Sequence, residues 1–171
     1  QGLVRSRERA VAQFGRLADR PDFDLICGDV CFPTGSDAQV DFIVHGASQA
    51  SPRYYGTDPV GTLAANTIGT HQVLEFARER GDVEGVLFMS SCEVYGALTG
   101  VMREDEYGPI DPVDVRSCYA ESKRLGETMC ASYWHQYDVP TRIARIFHTY
   151  GPSMRLDDGR VYADFVACIL D

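Results

Sequence analysis

The sequence predicts an α/β fold on a doubly wound parallel sheet, and three observations predict it. Apolar runs of strand length alternate with stretches of helical composition along the whole chain. The residues best suited to chemistry fall at the carboxyl ends of those runs, where open parallel sheets bind their ligands. At 171 residues the chain can bury one respectable core, so one domain is expected.

Taken in order, Leu3-Val4-Arg5 reads as the tail of a strand. Residues 6–19, rich in Arg, Ala, Glu and Leu, read as a helix. Residues 24–30 read as a short buried strand and 41–47 as a second. Residues 57–80 form a long helix with Leu63, Asn66, Thr67, Thr70, Val73, Leu74 and Ala77 on related faces, and Gly81 stops it. Residues 86–91 are a third strand, followed by a Gly- and Pro-punctuated loop through Pro112. Residues 116–137 are a helix ended by Asp138 and Pro140, and 141–147 are a fourth strand. From 161 onward, apolar residues at 161, 165, 166, 169 and 170 have helical spacing. Such alternation means parallel βαβ units with right-handed crossovers. Both ends read as cut, so a piece of a longer protein is expected.

Composition bounds the partners. Apolar content of 44% with 24% charged residues belongs to an ordinary globular protein. A net charge of −9 and a pI near 4.8 argue against nucleic acid or an anionic membrane as main partner. No apolar run approaches a membrane span, and no basic-then-apolar leader is visible. The six cysteines show no Cys-x-x-Cys and no paired zinc spacing, so no metal site is read and a reduced, cytoplasmic setting is expected.

The chemistry centres on Tyr119-Ala-Glu-Ser-Lys123. Residues four apart on a helix lie about 40° apart around the axis, one turn up, which brings an ammonium near a phenol. A nearby positive charge favours phenolate and is expected to lower the phenol's pKa toward working pH. Such a phenol can take a proton from a sugar hydroxyl while a nicotinamide takes the hydride. The same spacing on an amphipathic helix also serves packing and solvation, so the pair needs company. The strand ends supply it: Asp29-Val30, Gly46-Ala47-Ser48, Ser90-Ser91 and His148-Thr149 all fall on one sheet edge.

Ser90-Ser-Cys-Glu-Val-Tyr-Gly96, Arg116-Ser-Cys-Tyr-Ala-Glu-Ser-Lys123 and Arg145-Ile-Phe-His-Thr-Tyr-Gly-Pro152 resemble the extended short-chain dehydrogenase/reductases, the NAD-dependent epimerase/dehydratase family. Ser51-Pro-Arg-Tyr-Tyr55, Asn66-Thr-Ile-Gly-Thr70 and Asp157-Asp-Gly-Arg-Val161 are similar to its UDP-glucuronate decarboxylase branch. The resemblance implies a Rossmann-like doubly wound sheet that binds NAD, with a nucleotide sugar as substrate. It makes Tyr119 the base at the sugar 4-hydroxyl and Lys123 its partner and a ligand of the nicotinamide ribose. Ser91 would hold the 4-oxygen, and Glu93 would assist the second chemical step. Asp29 and Val30 would contact the adenine, Ala47 and Ser48 would line the cofactor path, and Thr149 would sit near the nicotinamide. Tyr55, His148 and Arg160 would face the substrate. The helices at 57–80 and 116–137 would pair with their copies in a homodimer, through Leu63, Val73, Leu74, Met129, Ala131 and Tyr133.

The departures from the family pattern carry as much weight. Cys92 stands where the 4,6-dehydratases have an aspartic acid, which argues against dehydration. His148 stands where many decarboxylases have Asn, and Ala64 where they have a substrate-contacting Lys. Val4-Arg5-Ser6-Arg7 replaces the usual terminal Asp of a strand, which leaves NADP open beside NAD. The family's glycine-rich strand–turn–helix would precede residue 1. The expectation is therefore a partial NAD(P)-binding domain over 1–171, truncated at that strand and helix and in the substrate domain, which would begin at about 153–171. Such a piece would be inactive alone. Decarboxylation of a nucleotide-linked uronic acid ranks first. A 4-epimerase, or a non-catalytic binding module of the same fold, are the alternatives.

Overall fold

A computed structural model describes residues 1–32, 39–151, 155–157 and 159–170. Pro152 and Asp158, two positions of the family motifs, and the start of the predicted substrate domain at 153–154 lie outside the described residues. The elements run β1 (Gly2–Val4), α1 (Arg7–Phe14), β2 (Leu25–Cys27), β3 (Phe42–His45), α2 (Arg53–Thr57), α3 (Pro59–Arg80), β4 (Gly85–Ser91), α4 (Ser117–Tyr137), β5 (Thr141–Ile146) and α5 (Val161–Leu170). Short 3₁₀ turns follow α1 at Gly15–Asp19 and β4 at Cys92–Tyr95.

Every ladder is parallel, as the alternation predicts. β1 pairs β2 with Gly2 opposite Leu25. A separate three-stranded sheet has β4 between β3 and β5, with Phe42 opposite Gly85 and Val86 opposite Thr141. Val86 and Phe88 of β4 are buried against Leu74 and Ala77 of α3 and Cys130 of α4, with Val83 and Val139 completing the core. Gly126 is what lets α4 come this close, because a Cβ there would lie 2.4 Å from the Phe88 ring.

Local chemistry sets the boundaries. The Ser6 hydroxyl accepts the Arg9 N–H and caps α1. The expected helix over 6–19 breaks at Gly15, whose φ of 52° leaves the helical region. The expected strand over 24–30 shrinks to three residues because the Asp29 carboxylate accepts the Cys31 N–H and turns the chain. The long helix starts at Pro59 rather than 57. Asp58 caps it by accepting the Gly61 N–H, and Gly81 ends it at φ 69°. The short α2 just before it was not foreseen. Asp138, left-handed at φ 56°, ends α4.

The helix residues named for a dimer fare unevenly. Leu74 is buried in the chain's own core, and Val73, Met129 and Tyr133 pack against it, because α3 and α4 lie side by side on one sheet face. Leu63 and Ala131 remain exposed, joined by Ile68 and Leu125.

Candidate active site

The carboxyl ends of β3, β4 and β5, the start of α4 and the residue preceding α5 enclose a cavity of about 220 Å³. It brings together Ser48, Tyr55, Ser91, Glu93, Tyr119, Lys123, His148, Thr149 and Arg160. Residues separated by more than a hundred positions thus converge as the strand-end argument requires. Asp29, Val30 and Ala47 do not line it. Val30 packs on α3 where Gly69 leaves room for its side chain, and Ala47 is exposed beside the cavity. Of the two arginines read as leaving NADP open, Arg7 donates to the Leu25 carbonyl and neither lines the cavity.

Tyr119 and Lys123 share one face of α4, both nearly fully buried. The Lys123 ammonium donates to the Met89 carbonyl at 2.8 Å and sits 4.9 Å above the Phe88 ring. It lies 5.8 Å from the centroid of the Tyr119 ring. Burial brings its pKa down to about 8. The expected lowering of the Tyr119 pKa is not what the ligand-free site shows. Burial pushes that phenol above its ordinary value, a hydrogen bond with Ser91 and the charge of Arg160 pull it down, and Glu93 and Cys92 push it up again. The reason is geometric: the ammonium is engaged by Met89, while Tyr55 stacks over the phenol ring.

Ser91 has its hydroxyl oriented by the turn that follows it. Its oxygen accepts the Glu93 N–H at 3.2 Å and so caps the Cys92–Tyr95 turn. Tyr55 donates its hydroxyl to the Ala50 carbonyl, and burial raises its pKa strongly, with Tyr119 and Glu93 adding to the rise. Arg160 reaches the same carbonyl at 3.4 Å. The Thr149 hydroxyl donates back to Phe147, and His148 is exposed at the rim. The Cys92 thiol is pushed up by burial and by Glu93, which keeps it protonated and leaves it a poor acid.

Two supporting networks escaped the sequence reading. Ser90 donates to Glu127, whose carboxylate is gripped by Arg145 through Nε at 3.0 Å and Nη2 at 2.8 Å. Arg145 lies over the rings of Tyr95 and Tyr107, 4.9 and 5.4 Å from their centroids. Glu127 falls one turn beyond Lys123 on the face of Tyr119, and an acid on an inward helix face was the available signal. The second network is a seam under the site. His45 hydrogen-bonds Thr70 at 2.9 Å, Thr70 donates to the Asn66 carbonyl, Asn66 donates to Ser122, and Ser122 donates to the Tyr119 carbonyl. Because Thr70 gives its one proton to Asn66, it accepts from His45, which fixes that imidazole with its proton on Nε2. Burial, then the Lys123 charge, lowers the His45 pKa to about 4, so it stays neutral.

The residues present fit the reactive end of a dinucleotide. The Ser48 hydroxyl lines the cavity and is buried without a hydrogen-bond partner among the described residues, so a polar ligand atom is what would complete it.

UDP-glucuronic acid decarboxylase 6 of Arabidopsis thaliana is 45% identical over 148 residues, 86% of this chain and 42% of that protein. UDP-glucuronic acid decarboxylase 1 of Xenopus tropicalis is 44% identical over 146 residues, 85% of this chain and 34% of that protein. The chain thus spans less than half the length of these curated relatives. Among solved structures, UDP-glucuronic acid 4-epimerase from Bacillus cereus, in complex with UDP-glucuronic acid and NAD, matches with a TM-score of 0.79 at 25% identity, covering 94% of this chain and 49% of that one. A dTDP-glucose 4,6-dehydratase from Bacillus anthracis in complex with NAD matches at 0.76 and 21% identity over 94% of this chain and 48% of that one, a likeness that shows the fold. The model of the NAD dependent epimerase/dehydratase family matches residues 3–171, and the chain belongs to that family.

Proposed function

We propose that the full-length protein is a UDP-glucuronate decarboxylase that works through a 4-keto sugar. The observation that carries the reading is the convergence of Ser91, Tyr119, Lys123 and Glu93 on one cavity in a chain 45% identical to such a decarboxylase. A bound nicotinamide supplies the acceptor and later the donor of the C4 hydride. Tyr119 takes the proton of the 4-hydroxyl, and Ser91 holds the 4-oxygen as it becomes a carbonyl. Lys123 sets the charge beside the phenol and holds the nicotinamide ribose. A 4-keto uronic acid is a β-keto acid, so its C6 carboxylate leaves as carbon dioxide without a strong acid at Cys92. Arg160 stabilises the resulting enolate and Glu93 assists its protonation, while Tyr55 and His148 bound the sugar. Asp29 and Val30 serve the adenine, and Ala47, Ser48 and Thr149 line the path to the nicotinamide.

The same reading includes a homodimer through the outer faces of α3 and α4, where Leu63, Ile68, Leu125 and Ala131 are exposed. It also includes a substrate-binding part that begins at about 153–171, and a cytoplasmic setting supported by six free thiols. No helix among the described residues is long and apolar enough to cross a membrane.

A 4-epimerase is the second reading, favoured by the likeness to the Bacillus cereus UDP-glucuronic acid 4-epimerase. Mass spectrometry of products from a panel of UDP-, dTDP- and CDP-sugars tests both. A UDP-pentose from UDP-glucuronate supports decarboxylation, and a 4-keto-6-deoxy product from dTDP-glucose overturns it.

A further inference from the structure

Arg124 follows Lys123 on α4, and its guanidinium is spent on two backbone carbonyls. Nε donates to Val94 O at 2.8 Å and Nη2 to Gly108 O at 2.7 Å, while Nη1 stands 3.4 Å from Glu121. Both acceptors belong to segments laced together, since Gly108 N donates to Tyr95 O and Ala97 N to Pro109 O. Neither of those segments tolerates a Cβ at the contact. One on Gly96 would lie 2.7 Å from Pro109 O, and one on Gly108 would lie 2.7 Å from Tyr95 O. The clamped piece is the Cys92–Tyr95 turn, which Ser91 caps by accepting the Glu93 N–H.

Ser91 and Tyr119 line the same cavity, and the hydrogen bond between them favours the ionised phenol.

We propose that Arg124 is a positioning residue for the reaction. By bridging Val94 and Gly108 it holds the Cys92–Tyr95 turn, and with it the capping Ser91 hydroxyl, within reach of the Tyr119 phenol. Lysine is no substitute, because a point ammonium does not span two carbonyls in fixed fork geometry. The other groups facing that phenol are Cys92 and Glu93 of the turn, Arg160 ahead of α5, Tyr55 of α2 and Lys123 of its own helix. None of them is held by Arg124 except through the turn.

The inference rests on Tyr119 as the base proposed above, and its test has one arm that needs no substrate. Full-length protein carrying ¹³Cζ-tyrosine gives a Tyr119 signal, assigned by its loss in Tyr119→Phe, that reports the hydrogen bond to the phenol oxygen. Arg124→Lys is expected to move this signal in the direction Ser91→Ala moves it, with no further movement in the double variant. In turnover, the limb that rises as Tyr119 deprotonates shifts up by roughly one pH unit in Arg124→Lys, with KM little changed. Arg124→Gln, which keeps a donor for one carbonyl, is a second variant should the lysine form fail to fold. An unmoved Tyr119 signal, or a further shift in the Ser91→Ala background, overturns the role of Arg124. Failure of the unaltered protein to consume UDP-glucuronate speaks only against the substrate.

Discussion

Tyr55 lies flat on Tyr119, ring centroids 5.0 Å apart and planes inclined by 16°. This stack closes one side of the proposed base, and it explains why burial, rather than Lys123, dominates the phenol in the ligand-free site. Activity through a phenolate base rises as the phenol deprotonates, so whatever uncovers Tyr119 moves that limb to lower pH. Tyr55→Ala is therefore expected to shift the rising limb downward, and Tyr55→Phe, which keeps the stack, to leave it in place. Loss of the Ala50 hydrogen bond in Tyr55→Phe should cost about 1 kcal/mol of stability. A pH–rate series on the full-length protein checks both.

Lys123 makes a stability prediction with a definite sign. Its pKa falls from 10.5 to about 8 on burial, so between those values the unfolded chain binds more protons than the folded one. Burying the ammonium therefore destabilises the fold fully below about pH 8, and this is relieved as pH rises toward 10.5. Relative to Lys123→Met, the unaltered protein should gain stability across that window. Urea unfolding of the two proteins at several pH values measures the difference.

Glu127 and Arg145 form an ion pair with side chains only 13% and 14% exposed. Removing one charge leaves the other buried and unpaired, which typically costs about 3–5 kcal/mol. Glu127→Leu should therefore be strongly destabilised. Adding Arg145→Leu should return part of the loss, because no orphaned charge remains. Calorimetric melting of the single and double variants reads this coupling, and additive losses would count against it.

The outer faces of α3 and α4 carry the dimer proposal. Ile68 and Leu125 are 49% and 47% exposed and lie outside the core. Ile68→Glu with Leu125→Glu should turn a dimer into a monomer in analytical ultracentrifugation while the melting temperature of the fold changes little.

The strands, the two long helices and the Tyr119–Lys123 pair were legible because each rests on local periodicity or spacing. Ser91 was legible because it ends a strand, where the sheet delivers it to the site, and Glu93 was legible only through its place in the family motif Glu93-Val-Tyr-Gly96. The split of the first helix was not foreseen because a single Gly15 decides it. Much of the inward face of α3 is polar, with Thr62, Asn66 and Thr70 fully buried, so its role as a seam under the site left no hydrophobic signature. Glu127 was missed because an acid on a helix reads as solvated until its partner from β5 is known. The direction of the Tyr119 pKa was misjudged because spacing gives the distance to a charge and says nothing of burial. Asp29 and Val30 follow β2, which lies in the sheet with β1 and not in that of β3, β4 and β5, and a turn at Asp29 carries Val30 onto α3, away from the cavity.

The decarboxylation itself is tested most directly by following C6. Full-length protein is given UDP-glucuronate labelled with ¹³C at C6, together with NAD, and the label is traced by NMR and headspace mass spectrometry. The account predicts labelled carbon dioxide and an unlabelled UDP-pentose from the unaltered protein. It also predicts a rate lower by about two to four orders of magnitude in a folded Tyr119→Phe variant. Retention of the label at C6 of a UDP-hexuronate product would contradict it.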